Sequence, residues 1–284
     1  RCLACHFAPK LAQVLREAIQ GAPLPPSMLE GDISLLYKKK DRLDVRNYRP
    51  LTMLNTDYKI YTKVLANRLK TVVHQFVSEA QKGFVPDTFI AECSTLLNLI
   101  EAWINEEPED RKGMFLFLDM EKAFDRVSYT YLNEALGALG FGQNFRRAVG
   151  LMYNVDAPPR RRIYANGYYS GWFEIKSGVA QGCPLSPLLF LVVAEGLRIS
   201  LEMEKGFKGL KIGDKHYKLS QFADDTTLIM GDKKQLKHAE NGLTRWCKAT
   251  GMKENKSKRE GLAMGRYRQE QLPNGVEWVK EGEW

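Results

Sequence analysis

Apolar residues recur along the chain with two different spacings, which predicts a mixture of helices and strands. A return every third or fourth position is typical of a helix with one apolar face. This spacing predicts helices around residues 11–19, 57–76, 90–104, 128–139, 187–204 and 236–247. The longest unbroken apolar run, Leu188–Ala194, is far shorter than the roughly 20 residues that cross a bilayer. We therefore expect a globular chain without a membrane-spanning segment.

Shorter apolar runs bounded by turn residues predict strands. They cover residues 33–37, 114–118, 160–169, 217–222 and 226–230. Within the third run, Asn166-Gly167 supplies the two positive-φ positions of a tight hairpin turn. The first run leads into three lysines, and we expect an irregular basic loop from there to Arg49-Pro50. Asp57 is then expected to cap the next helix.

Composition and charge narrow the class of protein. With 284 residues, of which 44% are apolar and 27% charged, the chain can bury a sizeable core and favours a two-lobed body. The net charge of +8 is concentrated in three basic windows, at 38–49, 146–162 and 253–259. Basic patches on an otherwise slightly acidic body are typical of a nucleic-acid enzyme with a separate carboxylate site. For any single window, solvated surface charge is the simpler interpretation.

The cysteines indicate a cellular compartment, and the first residue indicates how the chain relates to a longer protein. Five scattered cysteines, an odd number, favour a reducing, intracellular compartment over a disulfide framework. Because the chain begins at Arg1 without a methionine or a cleavable leader, we expect it to be a piece of a longer protein.

Three aspartates are candidates for a metal-dependent catalytic site. Asp119 ends a buried strand, and Asp224-Asp225 lie at the tip of a predicted hairpin about a hundred residues later. If the two strands are neighbours, the carboxylates converge, and a cation is needed to keep them ionised. Oxygen ligands favour Mg²⁺ or Mn²⁺, and two such ions support phosphoryl or nucleotidyl transfer. The alternative for Asp224-Asp225 alone is an ordinary turn.

A series of short motifs is far more specific than the acids alone. The motifs lie at residues 47–51 with 54–69, 81–84, 117–127, 181–187, 222–225 and 251–258. In their order and spacing, from about residue 24 to 265, the chain resembles the LINE-type (non-LTR) retrotransposon reverse transcriptases. In that family the first two correspond to conserved blocks of the fingers, and the other four to motifs A, B, C and D of the palm. Phe-Ala-Asp-Asp at 222–225 and Lys-Ala-Phe-Asp at 122–125 favour LINE-like elements over retroviruses or mobile introns.

The resemblance implies a fold class and a division into domains. The fold would be α+β, a right-hand polymerase with a small antiparallel palm sheet backed by helices and with mostly helical fingers. The implied segments are fingers at 1–112, palm with motif A at 113–140, fingers and a connecting hairpin at 141–180, and palm with motifs B, C and D at 181–284. The thumb is expected to be absent, since no convincing primer-grip motif precedes Trp284.

The resemblance also implies an activity and its partners. The activity is RNA-directed DNA polymerisation, in which a primer 3′-hydroxyl attacks the α-phosphate of a dNTP. The implied partners are an RNA template, a DNA primer or target and dNTPs, without a membrane. The implied cofactor is a pair of Mg²⁺ ions, with Mn²⁺ as a substitute. The implied place of action is the nucleus, after cytoplasmic assembly.

Site roles follow from the same matching. Asp119 and Asp224 would be catalytic metal ligands, with Asp225 a third, less direct carboxylate, and Lys258 would protonate the leaving pyrophosphate. The nucleotide-binding residues would be Lys39 and Arg49 at the triphosphate, Phe124 under the sugar, and Gln181 and Gly182 at the nucleotide or template. The template-binding residues would be Gln81, Gly83 and Phe84.

Two alternatives and one departure remain. An RNA-dependent RNA polymerase shares the palm, but an aromatic residue at 124 argues against ribonucleotide use, unless Phe124 is core packing. A catalytically inactive or domesticated nucleic-acid-binding module is the other alternative, against which the intact acids argue. Lys40 stands where the family often has glycine, which could stiffen the fingertip.

Overall fold

The computed structural model describes residues 4–279; the outer ends of the predicted fingers and palm segments, 1–3 and 280–284, lie outside this range. The helices within it are α1 Ala4–Ile19, α2 Thr56–Lys70, α3 Ile90–Glu106, α4 Ala123–Arg126, α5 Tyr129–Ala138, α6 Gln143–Gly150, α7 Ser186–Glu202 and α8 Gln235–Thr250. The strands are β1 Glu30–Tyr37, β2 Tyr48–Leu54, β3 Lys112–Leu118, β4 Arg160–Ala165, β5 Tyr168–Tyr169, β6 Phe173–Glu174, β7 Leu210–Ile212, β8 Lys215–Tyr217, β9 Leu219–Phe222, β10 Asp225–Met230, β11 Glu260–Gly265 and β12 Glu277–Val279. In the described part of the chain, no helix has the length and apolar character that a membrane span requires.

The chain separates into two compact units. Of the described residues, those up to Val72 together with Phe124–Phe190 form the first unit, and Val73–Ala123 together with those from Leu191 onward form the second. These units divide the chain at other residues than the predicted fingers and palm segments, whose boundaries stay a prediction.

The first unit contains a five-stranded mixed sheet. Its strand order is β2-β1-β4-β5, with β6 also paired to β4. β1 is antiparallel to β2 and parallel to β4. The predicted hairpin is present as β4 and β5, and its turn has Asn166 at φ 50° and Gly167 at φ 85°. This sheet accompanies the helices α1, α2, α5 and α6.

The second unit contains the sheet that carries the acidic residues. Its strand order is β12-β11-β3-β10-β9. The middle strand, β3, is antiparallel to both β10 and β11, while β12 pairs in parallel with β11 at the edge. The α+β fold class is confirmed, and the small palm sheet is antiparallel except at this edge.

Helices cover this second sheet because its central strands are apolar on both faces. One core cluster joins α3 to the strands of this unit and consists of Leu97, Ile100, Ile104, Phe115, Leu210, Ile229, Leu262 and Met264. Each large side chain buried in this way stabilises the fold by about 1.5–3 kcal/mol. α8 packs against β10, and the indole of Trp246 donates to the carbonyl of Val193 at 2.9 Å. The strands that lead to the acids therefore lie in a buried sheet covered by helices.

Three local predictions were wrong. The end of the expected basic loop is strand β2, in which Pro50 pairs opposite Leu35; Pro is tolerated because β2 is an edge strand. The N-cap of α2 is Asn55, and Asp57 lies in the first turn. α2 ends at Lys70 instead of continuing to residue 76.

Candidate active site

Asp119 and the Asp224-Asp225 pair come together through strand pairing. The antiparallel register of β3 with β10 places Leu118 opposite Thr226. Asp119 directly follows the first of these residues and Asp225 directly precedes the second, so the acids lie at the same end of the sheet. The side chain of Asp119 is 37% exposed, Asp224 is half-buried and Asp225 is exposed. The predicted convergence of the two strands is confirmed.

The carboxylate of Asp119 has two partners in the segment after α8. Lys258 Nζ lies 3.0 Å from Asp119 Oδ2, and Asn255 Nδ2 donates to the same oxygen at 3.2 Å. The backbone N–H of Asn255 also donates to the Asp119 carbonyl at 2.8 Å. Met120 and Glu254 form an isolated antiparallel bridge. The segment resembling motif D therefore runs beside Asp119, and Lys258 neutralises that carboxylate.

A buried ion pair anchors this segment. Arg259 donates to both carboxylate oxygens of Glu254 at 2.6 Å, and to Glu240 at 2.6 Å. Only 6% of each side chain of the Arg259–Glu254 pair is exposed. The hydrogen bonds to Glu254 hold the pKa of the Arg259 guanidinium above its usual range. Since Asn255 and Lys258 lie between these two residues in the chain, the pair fixes the segment that reaches Asp119.

The residues predicted to bind template occupy different environments. Phe84 is 42% exposed, whereas Gln81 is 2% exposed and Gly83 is buried. Gln81 Oε1 accepts hydrogen bonds from the backbone N–H groups of Gly83 and Ala223, at 2.7 and 2.9 Å. Its Nε2 donates to the Ala223 carbonyl at 3.1 Å. Template contact stays a prediction, for which Phe84 is the exposed candidate; Gln81 instead contacts the turn before Asp224.

Lys39 and Arg49 lie in the first unit, near the two ends of the basic loop, which we define as residues 38–49. Arg49 is exposed on β2, opposite Leu36, and Lys39 is exposed just after β1. The neighbouring Lys40 has φ 74°, the left-handed conformation that favours glycine. The Tyr37 hydroxyl donates to the Lys40 carbonyl at 2.6 Å. This geometry explains why a glycine would suit position 40.

Gln181 and Gly182 are held against β2 of the same unit. The backbone N–H of Thr52 donates to the Gln181 carbonyl at 3.0 Å. Gly182 has φ 105°, and a Cβ there would lie 2.8 Å from the Thr52 carbonyl oxygen, so glycine is required. The amide of Gln181 donates to Asp125 Oδ1 at 3.3 Å. The two predicted nucleotide contacts therefore lie beside the strand that carries Arg49.

Phe124 also belongs to the first unit. Its ring stacks on Phe190, with centroids 4.9 Å apart and an angle of 8° between the planes. Phe190 is buried, whereas Phe124 is half-buried. The carbonyl of Phe124 accepts from the N–H of Val179 at 2.7 Å. Core packing therefore accounts for one face of the ring, and the predicted sugar contact stays a prediction.

Comparison with protein families identifies this arrangement. The model of one family, described as reverse transcriptase (RNA-dependent DNA polymerase), matches residues 37–278. The chain belongs to the reverse transcriptase family. The match includes all the residues to which we assigned catalytic or binding roles.

Individual relatives of this reverse transcriptase domain are retrotransposon proteins. The chain is 33% identical to the Transposon TX1 uncharacterized 149 kDa protein of Xenopus laevis, over 94% of this chain and 20% of that protein. It is 32% identical to a Pol polyprotein from the type-1 retrotransposable element R2 of Popillia japonica, over 69% of this chain and 27% of that protein. It is 26% identical to the RNA-directed DNA polymerase from mobile element jockey of Drosophila melanogaster, over 84% of this chain and 25% of that protein. The predicted kinship with non-LTR elements is confirmed, and the chain spans about a fifth to a quarter of the length of these relatives.

Solved structures support the fold of the reverse transcriptase domain. Apo telomerase from Candida tropicalis, truncated from its C-terminal domain, matches with a TM-score of 0.57 at 15% identity, over 91% of this chain and 55% of that chain. Telomerase from the same organism in complex with a fragment of telomeric RNA matches with a TM-score of 0.58 at 14% identity, over 90% of this chain and 44% of that chain. At this level of identity the likeness shows a shared polymerase fold.

The donor atoms of this reverse transcriptase domain fit a divalent cation by their chemistry. Members of the family generally use divalent metal ions. The carboxylates of Asp119, Asp224 and Asp225 supply the oxygen ligands that Mg²⁺ and Mn²⁺ prefer, and Asp119 already pairs with the ammonium of Lys258. As the side chains stand in residues 4–279, no three His, Cys, Asp or Glu side chains are grouped closely enough to hold a metal ion.

The observed hydrogen bonds of two residues around the acids were not predicted from the sequence. Asn255 was part of motif D without an assigned role, and Gln81 was assigned to the template. Both act through hydrogen bonds to segments more than a hundred residues away in the chain, at Asp119 and Ala223. The only sequence signal was the placement of each inside a family motif, since such bonds leave no periodic pattern.

Proposed function

We propose that this chain catalyses RNA-templated DNA synthesis as the polymerase of a non-LTR retrotransposon. The observation that carries the proposal is the pairing of β3 with β10, which brings Asp119 to the same end of the sheet as Asp224 and Asp225. In the reaction the primer 3′-hydroxyl loses its proton to solvent, and its oxygen forms a bond to the α-phosphorus of the dNTP. The bond from that phosphorus to the bridging oxygen breaks, and pyrophosphate leaves.

Asp119 and Asp224 would hold two Mg²⁺ ions, with Asp225 as the third carboxylate and Mn²⁺ as a substitute. When bound, the ions supply positive charge for the attacking and leaving oxygens of the displacement. The side-chain amide of Asn255 orients the Asp119 carboxylate. Lys258 leaves Asp119 Oδ2 and donates a proton to the departing pyrophosphate, a role for which its long, half-exposed side chain is suited.

The substrate contacts of the proposal come from exposed or glycine-bearing positions. Arg49 binds phosphate oxygens with its planar fork, and Lys39 adds a point charge. Gln181 and Gly182 contact the nucleotide or the template, and Phe124 discriminates against a 2′-hydroxyl. The partners are an RNA template, which Phe84 contacts, a DNA primer and dNTPs. A chromosomal DNA target is part of this proposal, and with it we propose the nucleus as the place of action.

Primer extension on an RNA template tests the proposal. The purified chain is incubated with dNTPs or rNTPs, with Mg²⁺ or with EDTA, and Asp224→Asn serves as the inactive control. Extension that requires both dNTPs and Mg²⁺ supports the proposal. Extension with rNTPs alone indicates an RNA polymerase, and binding of the primer–template without extension under any condition indicates an inactive nucleic-acid-binding module.

A further inference from the structure

The side-chain amide of Gln81 lies beneath the turn that precedes Asp224. From this placement we infer that Gln81 is a positioning residue, which holds Asp224 in place for the chemistry; the inference rests on the proposed function. The amide makes three hydrogen bonds, two of them to Ala223. The Ala223 N–H donates to Gln81 Oε1, and Gln81 Nε2 donates to the Ala223 carbonyl. Both backbone groups of the residue before Asp224 are thus bound by one side chain.

Ala223 needs such support because of its backbone conformation. It has φ 59°, in the left-handed region that is unfavourable for a residue with a Cβ. Such a conformation persists where the surroundings over-determine it, and it often occurs at functional sites. Ala223 is also buried, with 6% exposure. The amide of Gln81 is therefore the internal partner that fixes this turn.

The neighbours of Gln81 bring its side chain to the turn. The Gln221 N–H donates to the Ala80 carbonyl and the Lys82 N–H to the Gln221 carbonyl, both at 2.8 Å. A Cβ on Gly83 would lie only 2.1 Å from the Ala223 nitrogen, so glycine permits the approach. The Gly83 N–H donates to the same oxygen of Gln81 as Ala223 does. The spacing Gln-x-Gly is thus explained by packing against the turn.

A direct contact between the Gln81 side chain and a template is the competing role. With 2% exposure and its oxygen accepting from two N–H groups, this side chain has no surface to offer a nucleic acid. The two roles predict different kinetic defects. Loss of a positioning residue lowers the rate of the chemical step, whereas loss of a template contact weakens binding of the template.

A matched control exists in the same unit. Gln235 is 8% exposed and makes the same three-bond pattern with another turn: its Oε1 accepts from the N–H groups of Lys208 and Gly209 at 3.1 and 2.8 Å, and its Nε2 donates to the Gly209 carbonyl at 3.0 Å. Gly209 also has a positive φ, of 79°. Gln235→Met therefore removes three hydrogen bonds of the same kind as Gln81→Met does, but at a turn that does not carry the acids.

The experiment compares Gln81→Met, Gln235→Met and the double variant Gln81→Met with Ala223→Gly, in the whole chain. Gln81→Met is expected to lower kcat about 10–100-fold, since small displacements of reacting groups have costs of this order, with the KM for dNTP and template affinity nearly unchanged. Mn²⁺ binding, measured by electron paramagnetic resonance, should weaken in parallel. Glycine adopts the left-handed conformation without strain, so the double variant should recover at least about half of the loss on a logarithmic scale.

Three results would overturn the inference. These are equal kcat losses in Gln81→Met and Gln235→Met, a defect confined to template affinity, and no recovery in the double variant. Hydrogen exchange at the Ala223 amide, measured by mass spectrometry, gives a readout without catalysis, and should accelerate in Gln81→Met. If the unaltered chain extends no primer, the proposed function fails, while exchange and Mn²⁺ binding still decide the role of Gln81.

Discussion

The turn that carries Asp224 and the basic loop at 38–49 both present charge, but they are held in different ways. Ala223 in the turn is bound at both backbone groups by a buried side chain from another segment. In the basic loop, side-chain hydrogen bonds join residues of the loop itself: Asn47 Nδ2 donates to the Asp41 carbonyl at 2.8 Å and the Tyr48 hydroxyl to the Arg42 carbonyl at 2.9 Å. The turn before Asp224 is positioned by the core, whereas the basic side chains lie on a surface loop and, for Arg49, on the edge strand β2.

This difference has a physical reason. Carboxylates that share a cation repel one another, so the backbone that brings them to the same end of the sheet has to be fixed before the cation arrives. Lysine and arginine side chains that bind a triphosphate each act alone and can adjust to it. We therefore expect substitutions around the turn to affect the rate of chemistry or the stability, and substitutions in the basic loop to affect nucleotide affinity.

The largest effect is expected at the acids themselves. Asp119→Asn or Asp224→Asn should lower the extension rate at least about a thousandfold, because each loses a charged ligand with almost no change in volume. Single-turnover primer extension measures the loss, and urea unfolding shows whether the fold is kept. An Asp224→Asn protein that extends primers at nearly the original rate would contradict the proposed site.

The next effect contrasts two ion pairs, one near Asp119 and one in the basic loop. Arg259→Met leaves the buried carboxylate of Glu254 unpaired, and should lower the free energy of unfolding by about 3–5 kcal/mol. Arg46→Met removes the pair with Asp44, in which the arginine side chain is 83% exposed, and should change it by less than about 1 kcal/mol. Urea unfolding of both variants measures the contrast, and similar losses would remove the distinction between the two regions.

A further test concerns the aromatic residue of the first unit. Phe124→Val should raise incorporation of ribonucleotides relative to deoxynucleotides about 10–100-fold, by making room for a 2′-hydroxyl. Phe190→Leu is the control, because it removes the stacking partner of Phe124 but leaves the ring in place. If the ratio is the same in Phe124→Val as in the unaltered chain, the ring has only a packing role.

A smaller effect is expected at the basic loop. Arg49→Lys should raise the KM for dNTP about tenfold with kcat nearly unchanged, because lysine lacks the planar fork that binds two phosphate oxygens. Arg42→Lys is a matched control from the same loop, where the guanidinium lies 4.9 Å from the centre of the Tyr37 ring. Steady-state extension over a range of dNTP concentrations separates the two constants; a kcat defect in Arg49→Lys would show that the loop participates in the chemical step.

The smallest effect is on stability at Lys40. Lys40→Gly relieves a left-handed conformation that costs about 1–2 kcal/mol. Glycine also gives the unfolded chain more conformational entropy, which lowers the free energy of unfolding by about 0.5–1 kcal/mol. The net gain in the free energy of unfolding should be about 0.5 kcal/mol. Lys38→Gly, at a position without positive φ, should instead be destabilising, and urea midpoints for the pair measure the difference.

Much of the fold was predictable where one segment determines its own structure. The apolar run before Asp119, the Asn166-Gly167 turn and the helix at 90–104 all appear as expected, because periodicity and turn chemistry are local. β2 was missed because the proline and the single charge of Tyr48–Leu54, at Pro50 and Arg49, disguise a strand whose partner, β1, provides the pairing. Tertiary packing also determines which face of α2 is buried, and that face includes Tyr58, Tyr61 and Leu65.

The candidate site divides in the same way. The acids could be located because strand ends are visible in the sequence, and family motifs gave the remaining roles. The hydrogen-bond partners of Asp119 and Ala223 could not be located from the sequence. A bond from Asn255 or Gln81 depends on which distant segment of the chain lies beside it. Sequence patterns therefore predict the charged groups better than the residues that hold them.

The central position of β3 has a consequence for biosynthesis. Both neighbours of this apolar strand, β10 and β11, are made more than a hundred residues after it, so during synthesis both edges of β3 stay unpaired until β10 has emerged, and one edge until β11 has emerged. Pairings this distant in sequence form slowly and leave hydrophobic surface exposed to aggregation. A product that stopped at about residue 259 would lack β11, and the strand leading to Asp119 would become an open edge. We expect such shortened chains to aggregate or be degraded, so that only chains completed through β11 yield an assembled set of carboxylates.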